Sequence, residues 1–117
     1  MSLFSAKTCL QIDLAIKQGC NINTKNYFGQ TFLHYLVQTN KIPLAEHLLE
    51  HNPDVNIQDQ LGRTPIFYAK DPVLVRKLLL KGSMFLVPDK TGKNALESNQ
   101  NIAKYFEMVG TYPSRVS

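Results

Sequence analysis

The chain has 117 residues, of which 44% are hydrophobic and 19% are charged, a balance that is typical of one folded domain and excludes a disordered or collagen-like protein. Its N-terminus lacks the apolar core of a secretory signal, and its longest apolar runs, residues 66–69 and 84–87, are far shorter than the roughly 18 residues of a membrane span. We therefore expect a soluble, cytoplasmic protein with no membrane partner. Two cysteines, Cys9 and Cys20, are too few for a disulfide scaffold, and we interpret them as buried reduced thiols.

The formal net charge of +4 is unevenly distributed along the chain. Residues 62–93 carry seven basic residues against two aspartates, a net charge of +5, so the remainder carries −1. Such a basic segment attracts acidic surfaces, which could belong to nucleic acid, to anionic lipid or to an acidic protein. The alternative is that these charges lie on the solvated faces of helices and have no partner.

The first predicted element is a helix over residues 8–18. Apolar residues that can form a helical stripe predict it: Leu10, Ile12, Leu14, Ala15 and Ile16. Gly19 then ends the helix. We interpret residues 8–25 as a half repeat that covers the apolar face of a stack of repeats, and residues 1–7 as a frayed start.

Residues 26–58 form the first full helix-turn-helix-turn unit. Its opening, Gly29-Gln30-Thr31, returns 33 residues later as Gly62-Arg63-Thr64. The hydroxyl of Thr31 can accept a free N–H group of the first helical turn, so a helix begins there. A second helix is predicted from near Pro43 to about His51, because it carries leucines at helical spacing, and an Asp-Val-Asn turn closes the unit.

Residues 59–88 repeat the unit in a form that is three residues shorter. Thr64-Pro65 predicts a helix start with proline at the first helical position. Asp71-Pro72 predicts the next start so soon afterwards that the first helix must end near Lys70. The apolar residues 84–87 are expected to be buried under the next repeat, because contiguous exposed apolar patches are uncommon.

Residues 89–110 open a third copy. Gly92 lies 30 residues after Gly62, as the deletion requires, and Asn94 takes the capping position of threonine. A helix over about 101–109 then serves as the terminal cap, and we interpret the tail, residues 111–117, as a loop.

A 33-residue unit with these parts resembles the ankyrin repeat, whose recurring features are a T-P-L-H tetrapeptide, a Leu-Leu pair on the second helix and a closing D-V-N. The resemblance implies an all-α solenoid of stacked helix pairs with short β-hairpin-like fingers, forming one domain. It also implies that the histidine of the tetrapeptide ties its helix to the adjoining turn. His34 matches that histidine, whereas Phe67 and Glu97 take its place in the later copies.

The resemblance further implies a non-catalytic module that binds another protein through its fingers and concave face. The expected partner-binding residues are Tyr27, Phe28, Gln30, Gln38, Gln60, Leu61, Arg63, Lys90 and Lys93. Because the later fingers are cationic, we expect a partner with an acidic patch. The alternatives are a targeting domain of a larger enzyme and a basic nucleic-acid-binding protein, the latter disfavoured because no known nucleic-acid module is present.

Few residues of the chain are candidates for catalysis or for metal binding. His47 and His51 are four residues apart on a predicted helix and could share one face, but the sequence suggests no third metal ligand, and we favour solvent-facing histidines. Cys9 or Cys20 could pair with His34 as a nucleophile, yet no sequence signature surrounds either cysteine. The glycines are scattered rather than gathered in a phosphate-binding loop. We therefore expect no enzyme activity, no metal and no cofactor.

Overall fold

A computed structural model describes residues 3–110 of the chain. Its helices are α1 (Cys9–Lys17), α2 (Phe32–Gln38), α3 (Ile42–Leu49), α4 (Pro72–Leu80), α5 (Ala95–Ser98) and α6 (Gln100–Met108), with 3₁₀ turns at Leu3–Ser5 and Pro65–Tyr68. The predicted tail, residues 111–117, lies outside the described residues. Among the described residues no helix has both the length and the apolar character to cross a membrane.

The N-terminal half repeat, residues 8–25, contains α1, and the 3₁₀ turn Leu3–Ser5 precedes it. Thr8 caps α1 by accepting the Gln11 N–H, and Ile12 and Ala15 are buried. The predicted apolar stripe of α1 includes one residue too many, because Leu10 is 76% exposed. The prediction of a frayed start is wrong for residues 3–6, because Leu3 and Ala6 are buried and the ring of Phe4 packs edge-on against Phe32, 5.7 Å between centres.

The first full repeat follows the predicted register closely. Thr31 caps α2, and all but two of the seven α2 residues are buried, so α2 lies in the middle of the stack. Helix α3 begins one residue before Pro43 and buries Ala45, Leu48 and Leu49 against the core. The predicted pair of helices is therefore present, with α2 as the inner helix of the repeat and α3 as its outer helix.

The second repeat replaces its inner α-helix with the 3₁₀ turn Pro65–Tyr68, which ends before the predicted limit at Lys70. The deletion leaves too few residues for a full α-helix, because Asp71 already caps α4 by accepting the Val73 N–H. Carbonyl groups of this segment accept a side chain from the third repeat. The side chain of Asn99 donates to two of them, those of Ile66 and Ala69, at 3.0 and 2.8 Å.

The third repeat begins as predicted, with Asn94 capping α5 and Glu97 completing a capping box. The prediction that residues 84–87 are buried is wrong for most of that segment. Met84 and Leu86 are more than half exposed, whereas Phe85 packs against Phe106 with ring centres 5.6 Å apart. One side chain of the segment therefore anchors it, and the others face outward.

Candidate functional site

The turns that precede α2, the 3₁₀ turn Pro65–Tyr68 and α5 share one structure. We call them the first, second and third fingers: residues 26–30, 59–63 and 89–93. In each, the side-chain oxygen of the first residue accepts the N–H groups two and four positions later, at 2.8–3.2 Å. That residue is Asn26, Asp59 or Asp89. A backbone bond from its N–H to the fifth residue's carbonyl closes the turn at 2.8–2.9 Å. An isolated bridge between Lys25 and Thr31 is the only strand-like pairing among the described residues, so these fingers are turns rather than extended hairpins.

Backbone hydrogen bonds join successive fingers. Gln60 N–H donates to the Phe28 carbonyl at 3.3 Å, and Lys90 N–H donates to the Leu61 carbonyl at 3.0 Å. The glycine of the second finger permits this approach, because Gly62 has φ +79° and a Cβ there would lie 2.9 Å from the Lys90 nitrogen. The fingers therefore form one continuous surface.

The fifth residue of a finger reaches the aspartate of the next finger. Gln30 Nε2 donates to Asp59 Oδ2 at 3.3 Å, and Arg63 Nε donates to Asp89 Oδ2 at 3.0 Å. The Asp89 carboxylate is fully buried. The hydrogen bond from the Thr91 hydroxyl, aided by those from Arg63 and the finger backbone, holds the pKa of Asp89 well below its usual range. Arg63 is thus a tie between fingers, while the equivalent Lys93 is exposed.

The side chain of Asp59 accepts several hydrogen bonds in the second finger. Besides the finger N–H groups and Gln30, it accepts the Tyr68 hydroxyl at 2.5 Å. Burial raises the pKa of Asp59, but the hydrogen bonds from Tyr68, Arg63 N–H and Gln30 outweigh it, and the net pKa is lowered. Burial, followed by the bond to Asp59, raises the pKa of Tyr68 to about 12. The tyrosine therefore keeps its proton and locks the finger to the inner 3₁₀ turn.

His34 ties the first repeat to the second finger, as the resemblance implied. Its Nδ1 accepts the Thr31 N–H at 3.1 Å, which fixes the proton on Nε2, and Nε2 donates to the Arg63 carbonyl at 2.9 Å. Burial lowers the pKa of His34, so the neutral ring is favoured. Since both nitrogens are engaged, this histidine is not poised to activate a cysteine. Cys9 and Cys20 are only partly buried, so the prediction of buried thiols is wrong in that respect.

The tips of the first two fingers carry exposed apolar side chains. Tyr27 is 92% exposed, Phe28 65% and Leu61 55%, and the two aromatic rings meet edge to face with centres 6.4 Å apart. Beside them lies a pocket of about 530 Å³, lined by Asn26, Phe28, Gln30, Tyr35, Gln38, Asp59, Gln60 and Leu61. We call these tips and this pocket the finger-tip surface.

Of the predicted binding residues, Phe28, Gln30, Gln38, Gln60 and Leu61 line one pocket. Tyr27, Arg63, Lys90 and Lys93 do not line it; Tyr27 adjoins it, and the lysines are exposed on the third finger. Tyr35, which is 40% exposed on α2, also lines the pocket and was not among the predicted binding residues. Its position three residues after Phe32 was a usable signal, since residues at this spacing are neighbours on a helix surface, and the two rings stack with centres 6.0 Å apart.

A second cluster lies apart from the fingers, on the outer helices. Nε2 of His47 and Nε2 of His51 each lie 2.7 Å from the same Asp13 oxygen. The prediction that both rings simply face solvent is wrong, because both are partly buried and share this partner. Hydrogen bonds from His47 and His51 lower the pKa of Asp13. Asp13 lies 34 residues before His47, so no local pattern pointed to it.

Comparison with known proteins identifies the repeat. A family model for ankyrin repeats, built of three copies, matches residues 5–94. Over 48 residues the chain is 40% identical to an ankyrin repeat protein of Rickettsia bellii (strain RML369-C), covering 41% of this chain and 8% of that protein. It is 35% identical over 63 residues to an ankyrin repeat protein of Acanthamoeba polyphaga mimivirus, covering 51% and 9%.

A third relative is Neurogenic locus notch homolog protein 1 of Homo sapiens, with 40% identity over 55 residues, which cover 46% of this chain and 2% of that protein. The chain therefore spans only a small fraction of the length of these relatives. The matched parts are repeats, so the likeness describes the scaffold.

Proposed function

This chain belongs to the ankyrin-repeat family, and we propose that it is a non-catalytic module that binds another protein through the finger-tip surface and so tethers or inhibits it. Ankyrin repeats are generally protein–protein interaction modules. We propose that the half repeat and the three repeats, residues 8–110, act as one stack that holds this surface in shape. The stack would bind its partner in the same way whether or not it is attached to a larger enzyme.

The observation that carries the proposal is the exposure of Tyr27, Phe28 and Leu61 on consecutive fingers. Contiguous exposed apolar side chains rimmed by polar groups are typical of interaction sites. Tyrosine is also among the residue types that most often dominate binding energy. The fingers that carry these side chains are joined by backbone bonds and side-chain ties, so the surface is preorganised and loses little freedom on binding.

The third finger supplies charge beside this apolar region. Lys90 and Lys93 are exposed there, and Arg63 lies between them and the apolar tips with its guanidinium held by Asp89. A partner with an apolar anchor next to an acidic patch would fit both parts. Exposed lysines at the rim of an interface mainly speed association, whereas buried aromatic anchors slow dissociation.

Nucleic-acid binding is less well supported than protein binding. Three of the cations in residues 62–93 contact other side chains of the chain: Arg63 with Asp89, Lys77 with Glu46 at 3.8 Å, and Lys81 with Asn52 at 3.2 Å. Tyr68, which could have stacked on a base, donates its hydroxyl to Asp59 and is only partly exposed. Among the described residues, the most exposed aromatic side chains lie on the first finger, outside the basic segment.

Binding kinetics with a partner isolated on the immobilised chain test the proposal. Tyr27→Ala should raise the dissociation rate at least about fivefold, because it removes an anchor worth 1 kcal/mol or more. Lys93→Glu should lower the association rate, with an effect that shrinks as salt is added. Arg76→Glu makes the same charge change on α4 and should alter neither rate. Loss of binding in Arg76→Glu alone would place the interface on the outer helices.

A further inference from the structure

Three side chains of metal-ligating type converge away from the finger-tip surface. Asp13 comes from α1, His47 from α3 and His51 from the turn that follows α3. One ligand atom from each of the three lies within 4.8 Å of the other two. We propose that this cluster binds a divalent transition-metal ion of the zinc class, and that the ion fastens the N-terminal half repeat to the first repeat.

The geometry of the cluster follows from the helix and from the stack. Because His47 and His51 are four residues apart, their imidazoles share one face of α3 and its extension. The rings are 5.5 Å apart between centres and inclined at 70°, so they are not stacked and both Nε2 atoms can turn towards one point. Packing of α1 against α3 then brings Asp13 to that point, 2.7 Å from each Nε2.

The donor set favours zinc over hard cations. Two imidazole nitrogens and one carboxylate oxygen form the kind of three-ligand set to which Zn²⁺ adds a water molecule as its fourth ligand. Calcium and magnesium prefer sets made of oxygen atoms. Zinc–ligand bonds of about 2.0–2.1 Å place tetrahedral ligands roughly 3.3 Å apart. Each 2.7 Å nitrogen–oxygen contact would therefore open by about half an ångström.

The cluster has the freedom and the access that this adjustment needs. The side chains of His47, His51 and Asp13 are 25%, 31% and 45% exposed, so they can shift without disturbing the buried core. The same exposure leaves room for the water ligand. Without metal, Asp13 Oδ1 accepts two Nε2–H groups. With metal, each Nε2 offers its lone pair instead, so a neutral ring carries its proton on Nδ1, and a doubly protonated ring releases one proton to solvent.

Binding of the ion would stabilise the folded stack. The histidines alone are a weak local pair, whereas the three ligands come together only when α1 is docked on α3. An ion that binds the folded chain preferentially lowers the unfolding equilibrium constant, by about 100-fold at a free concentration of 100 times the Kd. The ion would thus link Asp13 to His47 and His51, which lie 34 and 38 positions later in the sequence.

The first test is a titration of the chelator-treated chain, made without a polyhistidine tag, with ZnCl₂ in a calorimeter. The expected result is saturable binding of one ion per chain. His47→Gln, His51→Gln and Asp13→Asn should each weaken it at least tenfold, since even loss of a second-shell partner commonly costs that much. Glu50→Gln is the matched control, because it removes a neighbouring exposed carboxylate and should leave the affinity unchanged. Circular dichroism checks that every variant is folded.

A second measurement uses the wild-type chain and its third histidine. In nuclear magnetic resonance spectra, zinc should shift the ring signals of His47 and His51 and leave those of His34 unchanged, because both His34 ring nitrogens are already bonded and its side chain is buried. Absence of saturable binding would overturn the proposal and leave the cluster as a hydrogen-bonded contact between helices. Equal weakening in Glu50→Gln, or a shift confined to His34, would overturn it as well.

Discussion

The imidazole of His34 is the polar link between the first repeat and the second finger: its Nε2 donates to the Arg63 carbonyl at 2.9 Å while its Nδ1 accepts the Thr31 N–H at 3.1 Å. The ring is fully buried, so neither bond can be replaced by water without opening the stack. The second repeat has Phe67 at the equivalent position and lacks this link. There the Thr64 hydroxyl is buried with no hydrogen-bond partner among the described residues.

His34→Phe should therefore lower the free energy of unfolding by about 1–3 kcal/mol, because it leaves the buried Thr31 N–H without its partner and removes one of the two hydrogen bonds that the Arg63 carbonyl accepts. Urea denaturation measures this, with Gln38→Ala on the exposed side of α2 as a control that should change the free energy by less than about 0.5 kcal/mol. A His34→Phe protein as stable as the wild type would show that packing alone couples these repeats.

The same histidine should make stability depend on pH. Burial lowers the pKa of His34; the Arg63 carbonyl and Asp59 oppose this shift, and Lys25 adds to it. The unfolded chain therefore takes up a proton near pH 6.5 that the folded chain does not, so the stabilising contribution is complete above about pH 6.5 and is lost as the pH falls towards the folded pKa. The slope is at most about 1.4 kcal/mol per pH unit.

His34→Gln isolates this contribution, because the other two histidines are present in both proteins. Urea denaturation between pH 7.5 and pH 5 should find the two free energies of unfolding converging as the pH falls. Parallel curves would mean that His34 titrates alike in the folded and unfolded chains.

Glycines of successive fingers should differ in their tolerance of a side chain. Gly62 and Gly92 have similar φ angles, +79° and +88°, so an alanine at either meets the same backbone strain, on the order of 1–2 kcal/mol. At Gly62 the added Cβ would also lie 2.9 Å from the Lys90 nitrogen, whereas at Gly92 it meets nothing within 4 Å. Gly62→Ala should therefore be the more destabilising variant in thermal denaturation. Equal losses would show that the second and third fingers separate readily.

Leu48→Ala should cost about 2–5 kcal/mol, because Leu48 is completely buried in the first repeat. Leu10→Ala removes the same atoms from an exposed position on α1 and should change stability by less than about 0.5 kcal/mol. Chemical denaturation compares the two. A loss under 1 kcal/mol for Leu48→Ala would contradict the burial on which the repeat register depends.

Local signals made much of this fold predictable. The spacing of Gly29, Gly62 and Gly92 located the three fingers, because each turn requires a positive φ at that position. Capping side chains at Thr31, Asp71 and Asn94 marked helix starts that the structure contains, since a cap needs only the N–H groups of its own first turn. Pocket-lining residues such as Phe28 and Leu61 followed from their place beside these glycines.

The features that were missed depend on contacts between distant segments. Asn99 bonds to carbonyl groups about 30 residues earlier, in and directly after the 3₁₀ turn that takes the place of the second inner helix. Asp13 meets two histidines through the docking of α1 on α3. Segment 84–87 was expected to be buried as a whole, yet one anchor, Phe85, is enough to hold it. The composition and spacing of residues within one segment do not show which distant residues its side chains contact.

The central claim, that the finger-tip surface holds the protein partner, is tested most directly by site-specific photo-crosslinking. A photoreactive phenylalanine analogue is placed at Tyr27 or Leu61 on the fingers, and at Val73 or Leu80, which are exposed apolar positions on α4. We predict that the partner is captured from Tyr27 and Leu61 and not from the α4 positions. Capture from Val73 or Leu80 with none from the fingers would contradict the claim.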